Sequence, residues 1–174
     1  LIAGRAEAMS DYFVGIDPGA SGAIVTLRGT EHKSTVPMPT MLNGQGRQVL
    51  DLSEIDRLFR WFGTLQAFVA IEQLQPMPMD KGGTLANYAR GRSLGVLEAY
   101  CVAYQIRYQL VRPQAWQKEM LAGVEGQDTK ARSIIAARRL FPTVSLLRTK
   151  RSKKPDDGIA DALLIAEYAR RHHE

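Results

Sequence analysis

The sequence has one cysteine, Cys101, among 174 residues. That excludes a disulfide within the chain and any zinc site built from cysteine thiolates. In the helical-looking stretch "LEAYCVAY" (97–104), Cys101 reads as a small buried apolar residue. Histidine is nearly as scarce: His32, His172 and His173 are all there is, and each reads as a surface or tail residue, so no imidazole-rich metal centre is expected. No apolar run approaches the ~20 residues of a membrane helix, and the beginning lacks the charged-then-apolar layout of a secretory signal. The expected location is cytoplasmic, with no membrane partner. Residues 1–8, "LIAGRAEA", precede Met9 and read as a tag or leader, with 9–174 as one domain. Acidic residues are outnumbered, 18 Asp and Glu against 23 Lys and Arg, which tilts the chain toward a polyanionic partner.

Apolar spacing predicts strands near 12–17, 22–28 and 33–38 joined by short turns, an antiparallel start. In "DLSEIDRLFRWFGTL" the apolar residues recur at three- and four-residue steps, which predicts a helix over 54–65 capped by Ser53. A strand over 67–72 follows, then a helix over 84–104, a strand at "IRYQLV", a helix from Pro113 to about Leu121, another from Asp128 or Thr129 to Leu140, and a last helix over 157–171. This order predicts an α/β fold: a mixed sheet whose later strands are parallel and joined through helices.

Four acids stand out. Asp17 and Glu72 end apolar strands, and Asp157 and Asp161 share a largely apolar face of the last helix, within roughly 100° of arc. Each has an ordinary reading: Asp17 as the first residue of an Asp-Pro-Gly turn, Glu72 as the partner of a base, Asp157 as an N-cap, Asp161 as a surface residue. Together they describe a cluster of buried carboxylates, costly unless cations neutralise it. An all-oxygen set suits hard divalent ions such as Mg²⁺ or Mn²⁺, and two such ions about 4 Å apart activate water and stabilise the leaving oxygen of a phosphodiester.

Four segments carry a family resemblance: "GIDPGASGAIV" (15–25), "AIEQ" (70–73), the small-residue helix "LANYARGRSLGVLEAY" (85–100) and "DDGIADALLIAEY" (156–168). Over roughly 12–170 the chain resembles the RuvC-like Holliday junction resolvases of the RNase H-like superfamily. The resemblance implies an RNase H-like fold, a mixed five-stranded sheet with its first three strands antiparallel, flanked by helices. It also implies a homodimer that cuts two symmetric strands of a four-way DNA junction, using Mg²⁺ or Mn²⁺, two per active site, and no small-molecule cofactor. Matched by position, Asp17, Glu72, Asp157 and Asp161 hold the metal, with Asp156 an alternative to Asp157. Lys118 and Lys130 match functional lysines near the scissile phosphate. The pattern departs at Gln75, where relatives often carry an aromatic residue; Leu74, Met77 or Met79 are then the candidates to wedge the junction. The short loop containing them points to a phage-encoded or divergent member.

For DNA contact the candidates are Gln73, Gln75, Lys81, Arg90, Lys118, Lys130 and Arg132, with the basic run Arg148, Lys150, Arg151, Lys153 and Lys154 immediately before the acidic helix. Small residues along 84–104 fit either packing on the chain's own sheet or a dimer contact. The reading is a structure-selective endonuclease; the alternatives are a non-catalytic DNA-binding module and a nuclease for RNA–DNA hybrids.

Overall fold

The computed structural model describes residues 10–74 and 83–173. In chain order the elements are β1 (Tyr12–Ile16), β2 (Ala23–Arg28), β3 (Glu31–Pro37), β4 (Thr40–Leu42), β5 (Gln48–Leu50), α1 (Leu52–Thr64), β6 (Phe68–Glu72), α2 (Gly83–Ala103), β7 (Arg107–Val111), α3 (Pro113–Met120), α4 (Thr129–Leu140) and α5 (Asp157–His172). Five strands make one mixed sheet in the order β3-β2-β1-β6-β7. β1, β2 and β3 are antiparallel neighbours, and β6 pairs in parallel with both β1 and β7. This is the α/β arrangement expected from the sequence.

Strand parity sorts the side chains into two cores, one on each face of the sheet. Val14, Ile16, Val69 and Ile71 pack with Ile55, Phe59 and Phe62 of α1 and with Leu97 and Cys101 of α2. Phe13, Phe68 and Ala70 point the other way, toward Trp116 of α3, Ala136 of α4 and the buried residues of α5. Because helices cover both faces, the central strands carry near-continuous apolar runs, which is why β1 reads YFVGI and β6 reads FVAIE.

Three expectations need correction. The cap of α1 is Asp51, whose carboxylate accepts from the backbone N–H groups of Ser53 and Glu54 at 3.1 and 3.2 Å. Ser53 lies inside the first turn, where its own N–H needs the partner. The hairpin of β4 and β5 has no counterpart in the predicted elements; its two strands are only three residues each, and its turn is held by Asn43 Oδ1 accepting from the N–H groups of Gln45 and Arg47, 2.9 Å each. The histidines are not all solvated. His173 stacks on Phe68 with ring centroids 4.1 Å apart and has a buried Nε2, His172 reaches Glu119 at 2.5 Å, and half-buried His32 bonds Thr35.

Helix α5 lies against β1 at backbone distance. A Cβ built on Gly15 would fall 2.1 Å from the carbonyl oxygen of Ala162 and 2.3 Å from the backbone nitrogen of Ala166, so only glycine lets strand and helix approach this closely. Gly15→Ala should therefore destabilise the fold by about 3 kcal/mol or more through forced displacement of α5, measured by chemical denaturation. An unchanged midpoint would mean that the helix sits farther out.

Candidate active site

The packing that seats α5 also collects the four acids. β1 and β6 run in parallel with Ile16 opposite Ile71, so the residues that follow, Asp17 and Glu72, stand at neighbouring strand ends. Their parity matches Gly15 and Ala70, toward α5 rather than α1. Asp17 Oδ1 accepts from the N–H of Gly19 at 3.0 Å, holding the turn into β2. Oδ2 faces the start of α5, where a Cβ on Gly158 would lie 3.2 Å from it. The turn reading and the pocket reading of Asp17 are thus both met, one by each oxygen.

Among the described residues Glu72 has no basic partner of the kind the sequence allowed. Its Oε1 accepts from the indole N–H of the fully buried Trp116 at 3.0 Å. Nor is Asp157 the cap of α5: that is Asp156, which accepts from the N–H of Ile159 at 3.0 Å and pairs with Arg148 at 2.6 Å. Asp157 pairs with Lys130 at 2.6 Å. Asp161 is no surface residue, since its Oδ1 is buried without a hydrogen-bond partner. Ser133 of α4, whose buried Oγ likewise has no hydrogen-bond partner by distance and angle among the described residues, is its polar neighbour.

These neighbours set the electrostatics. Burial, followed by the charge of Asp17, pushes Glu72 up to about 7 despite the Trp116 hydrogen bond. Burial pushes Asp161 up to about 7; Ser133 opposes this, while the charges of Asp17, Glu72 and Asp157 add to it. Asp17 is raised chiefly by burial, against the Gly19 hydrogen bond, with Asp157 and Asp156 contributing. Asp157 alone is held low: burial acts upward, but the hydrogen bond and charge of Lys130 outweigh it. Among the described residues, the site therefore has more carboxyl groups than basic partners.

Among the described residues, no three Asp, Glu, His or Cys side chains are gathered tightly enough to clasp an ion as they stand. Two of the four acids are engaged elsewhere, Asp157 by Lys130 and Glu72 by Trp116. By chemistry the donors nevertheless fit a hard divalent cation: they are all oxygen, they repel one another, and one buried carboxylate oxygen is orphaned. Asp157 meets Lys130 through Oδ2, so a ligand shell that uses that oxygen requires the ammonium to move.

Two solved structures share this architecture. Thermus thermophilus RuvC in complex with a Holliday junction substrate matches with a TM-score of 0.59 at 18% identity, over 93% of this chain and 96% of that one. A further Thermus thermophilus RuvC structure matches with a TM-score of 0.54 at 19% identity, over 93% and 97%. The chain has a RuvC-like fold. At such identities the likeness establishes the fold alone, and no protein-family model and no curated protein matches the chain.

On this RuvC-like scaffold the remaining site candidates divide. Lys118 is exposed on the last turn of α3, and Lys150, Arg151, Lys153 and Lys154 are exposed around a turn closed by Thr149 and Ser152; none of the five has an ion pair among the described residues. Two arginines are committed internally rather than offered to DNA. Arg132 donates to the carbonyls of Val124 and Leu121, 2.9 Å each, bracing the loop between α3 and α4. Arg148 turns inward to Asp156 and the β1–β2 turn. Arg90 is half-buried on α2 with Nη1 enclosed and unpartnered, and Gln73 is half-buried with its N–H bonded to Val111. Gln75, Lys81, Met77 and Met79 lie outside the described residues, as do residues 1–9. Sequence reasoning missed Trp116 and Ser133 as neighbours of the acids. The signal for Trp116 was its place on the apolar stripe of α3; a lone serine in α4 gave none.

The raised acids carry a pH signature. A carboxyl whose folded-state pKa lies near 7, against ordinary values of 4.5 for Glu72 and 3.8 for Asp161, favours the folded state while protonated, and that stability is lost as pH rises toward 7. Asp157, shifted the opposite way by a partly exposed partner, offsets little. Metal-free protein should thus melt at a lower temperature at pH 8 than at pH 5.5. Asp161→Asn should reduce that difference, and Mn²⁺ at pH 8 should raise the Tm of the wild type but not of Asp161→Asn. A wild-type Tm that climbs from pH 5.5 to 8 without metal would show that the carboxylates are balanced internally.

Proposed function

We propose that this protein is a divalent-metal-dependent, structure-selective endonuclease that resolves four-way DNA junctions by paired, symmetric phosphodiester hydrolysis, acting in the cytoplasm in DNA recombination and repair. One observation carries the reading: acids from three distant segments, Asp17, Glu72 and the pair Asp157 and Asp161, stand near enough to act on one another's charge, and three of them are raised chiefly by burial. The RuvC structure of the same fold is a complex with a Holliday junction, which favours junction DNA over a generic polyanion.

In this account Asp17, Glu72, Asp157 and Asp161 hold Mg²⁺ or Mn²⁺, with Asp156 kept for the helix cap. When bound, the ions would supply Lewis acidity and a water made acidic enough to attack phosphorus. Trp116 orients Glu72 through its indole N–H. Lys130 pairs with Asp157, and with the metal bound it would stand with Lys118 to meet the scissile phosphate. Lys150, Arg151, Lys153 and Lys154, exposed just before α5, take the backbone of a junction arm.

Symmetric cleavage calls for two copies, and α2 has the surface for one. Leu85, Tyr88, Arg92, Gly95, Ala99 and Val102 recur at three- and four-residue steps along it, and all six are exposed. A Cβ on Gly91 or Gly95 would meet nothing within 4 Å, so a second helix can approach there. Beside this stripe a cleft of about 520 Å³ opens between α2 and the β4–β5 hairpin, on the sheet face away from the acids. We infer a twofold dimer in which α2 meets its counterpart.

The function is tested by incubating the protein and Mg²⁺ with a labelled four-way junction, an RNA–DNA hybrid and a linear duplex. Paired nicks in the junction alone are expected, and Asp17→Asn should cut at least a hundredfold more slowly while still binding. Junction binding without nicking under any metal would leave a non-catalytic module, and preferential hybrid cleavage would make it an RNase H-type enzyme. Gly95→Glu, whose Cβ would meet nothing within 4 Å among the described residues, should shift the protein to monomer in analytical ultracentrifugation; an unchanged dimer would place the interface elsewhere.

A further inference from the structure

Arg148 opens the basic run before α5, yet its guanidinium does not face solvent with the others. Nε donates to Asp156 Oδ2 at 2.6 Å. Nη2 donates to the carbonyl of Gly22 at 3.0 Å, reaches Asp156 Oδ1 at 3.5 Å and also contacts the carbonyl of Ser21. Asp156 is itself fixed from two sides: its N–H donates to Leu146 O at 2.7 Å, and its Oδ1 caps α5 through Ile159 N–H at 3.0 Å. Ser21 and Gly22 belong to the turn that begins at Asp17, a turn closed by Gly22 N–H to Gly19 O at 2.8 Å and Asp17 N–H to Ala23 O at 3.0 Å. The same turn presses on α5 where a Cβ on Gly158 would lie 2.5 Å from Ser21 O.

We propose that Arg148 is a positioning residue: with Asp156 it clamps the Asp17 turn onto the N-terminus of α5, setting where Asp17 stands relative to Asp157 and Asp161. A guanidinium suits this task because its rigid fork serves a carboxylate and two carbonyls at once, which a lysine ammonium on a flexible stem does not reproduce. The rival role, a phosphate contact of the kind its neighbours are suited for, needs the same group to face outward. The inference rests on the nuclease reading for its catalytic consequence, though not for the clamp itself.

Three readouts separate these roles in Arg148→Gln, Arg148→Lys and Asp156→Asn: hydrogen exchange of the 19–23 amides without metal or DNA, junction affinity as a function of salt, and single-turnover cleavage at saturating junction. The clamp predicts at least tenfold faster exchange of those amides in Arg148→Gln, no rescue by Arg148→Lys, affinity within about twofold of wild type with an unchanged salt slope, and a saturating rate lowered about tenfold or more. Asp156→Asn keeps a side-chain oxygen for the cap but replaces the oxygen that accepts from Arg148 Nε with an amide donor, so it breaks the clamp from the other side and should show the same pattern if Arg148→Gln does not fold. Weakened binding with the salt slope reduced by about 1, a rate that recovers at saturating DNA and unmoved amides would overturn the proposal. Should the wild type cut no junction, the nuclease reading fails, and the exchange measurement still decides the clamp.

Discussion

The contact between α5 and β1 governs the rest of the structure. With Gly15 facing the backbone of Ala162 and Ala166, and Gly158 facing Ser21, the helix lies as close to the strand as covalent geometry permits. That closeness fixes where Asp157 and Asp161 project. The charges of Asp17 and, at the neighbouring strand end, Glu72 act on Asp161 from there. α5 is buried on nearly all sides between the sheet and α3 and α4, so Ile159, Leu163, Leu164 and Ile165 anchor it against sliding. The apolar packing thereby holds like charges together that would separate if free to do so.

Electrostatic strain and function are two sides of that arrangement. Each neighbour relieves part of the charge: the Gly19 N–H for Asp17, the Trp116 indole for Glu72, Lys130 for Asp157. Asp161 is left with an oxygen that has no hydrogen-bond partner among the described residues. A protein selected for stability alone would fill such a pocket with apolar side chains. On the proposed reading a dication completes the balance, and all-oxygen donors suit hard ions such as Mg²⁺ or Mn²⁺. The basic surface does not relieve this charge from outside, because Lys150, Arg151, Lys153 and Lys154 stand in solvent, where a polyanion can reach them.

The parts of this account that rest on periodicity were legible in the sequence. Apolar runs marked β1 and β6, the carboxylates at their ends were conspicuous against those runs, and a four-residue step put Asp157 and Asp161 on one helical face. Contacts between segments far apart were not legible. Nothing near Trp116 announces that its N–H reaches Glu72, 44 residues away. Arg148 lies in a run of like residues, and only its neighbours in space, Asp156 and the carbonyl of Gly22, distinguish it from Lys150 or Arg151. Local competition misled in the same way: Ser53 and Asp51 both suit a cap, and the backbone chose the carboxylate. The β4–β5 hairpin escaped because three-residue strands have no period to detect.

The central claim, that crowded carboxylates await divalent ions, is tested most directly by a crystal structure grown in Mn²⁺ with anomalous diffraction data. The account predicts anomalous peaks enclosed by Asp17, Glu72, Asp157 and Asp161, with the Lys130 ammonium displaced from Asp157. Saturating Mn²⁺ with no peak in that pocket, and Asp157 still bound to Lys130, would contradict it.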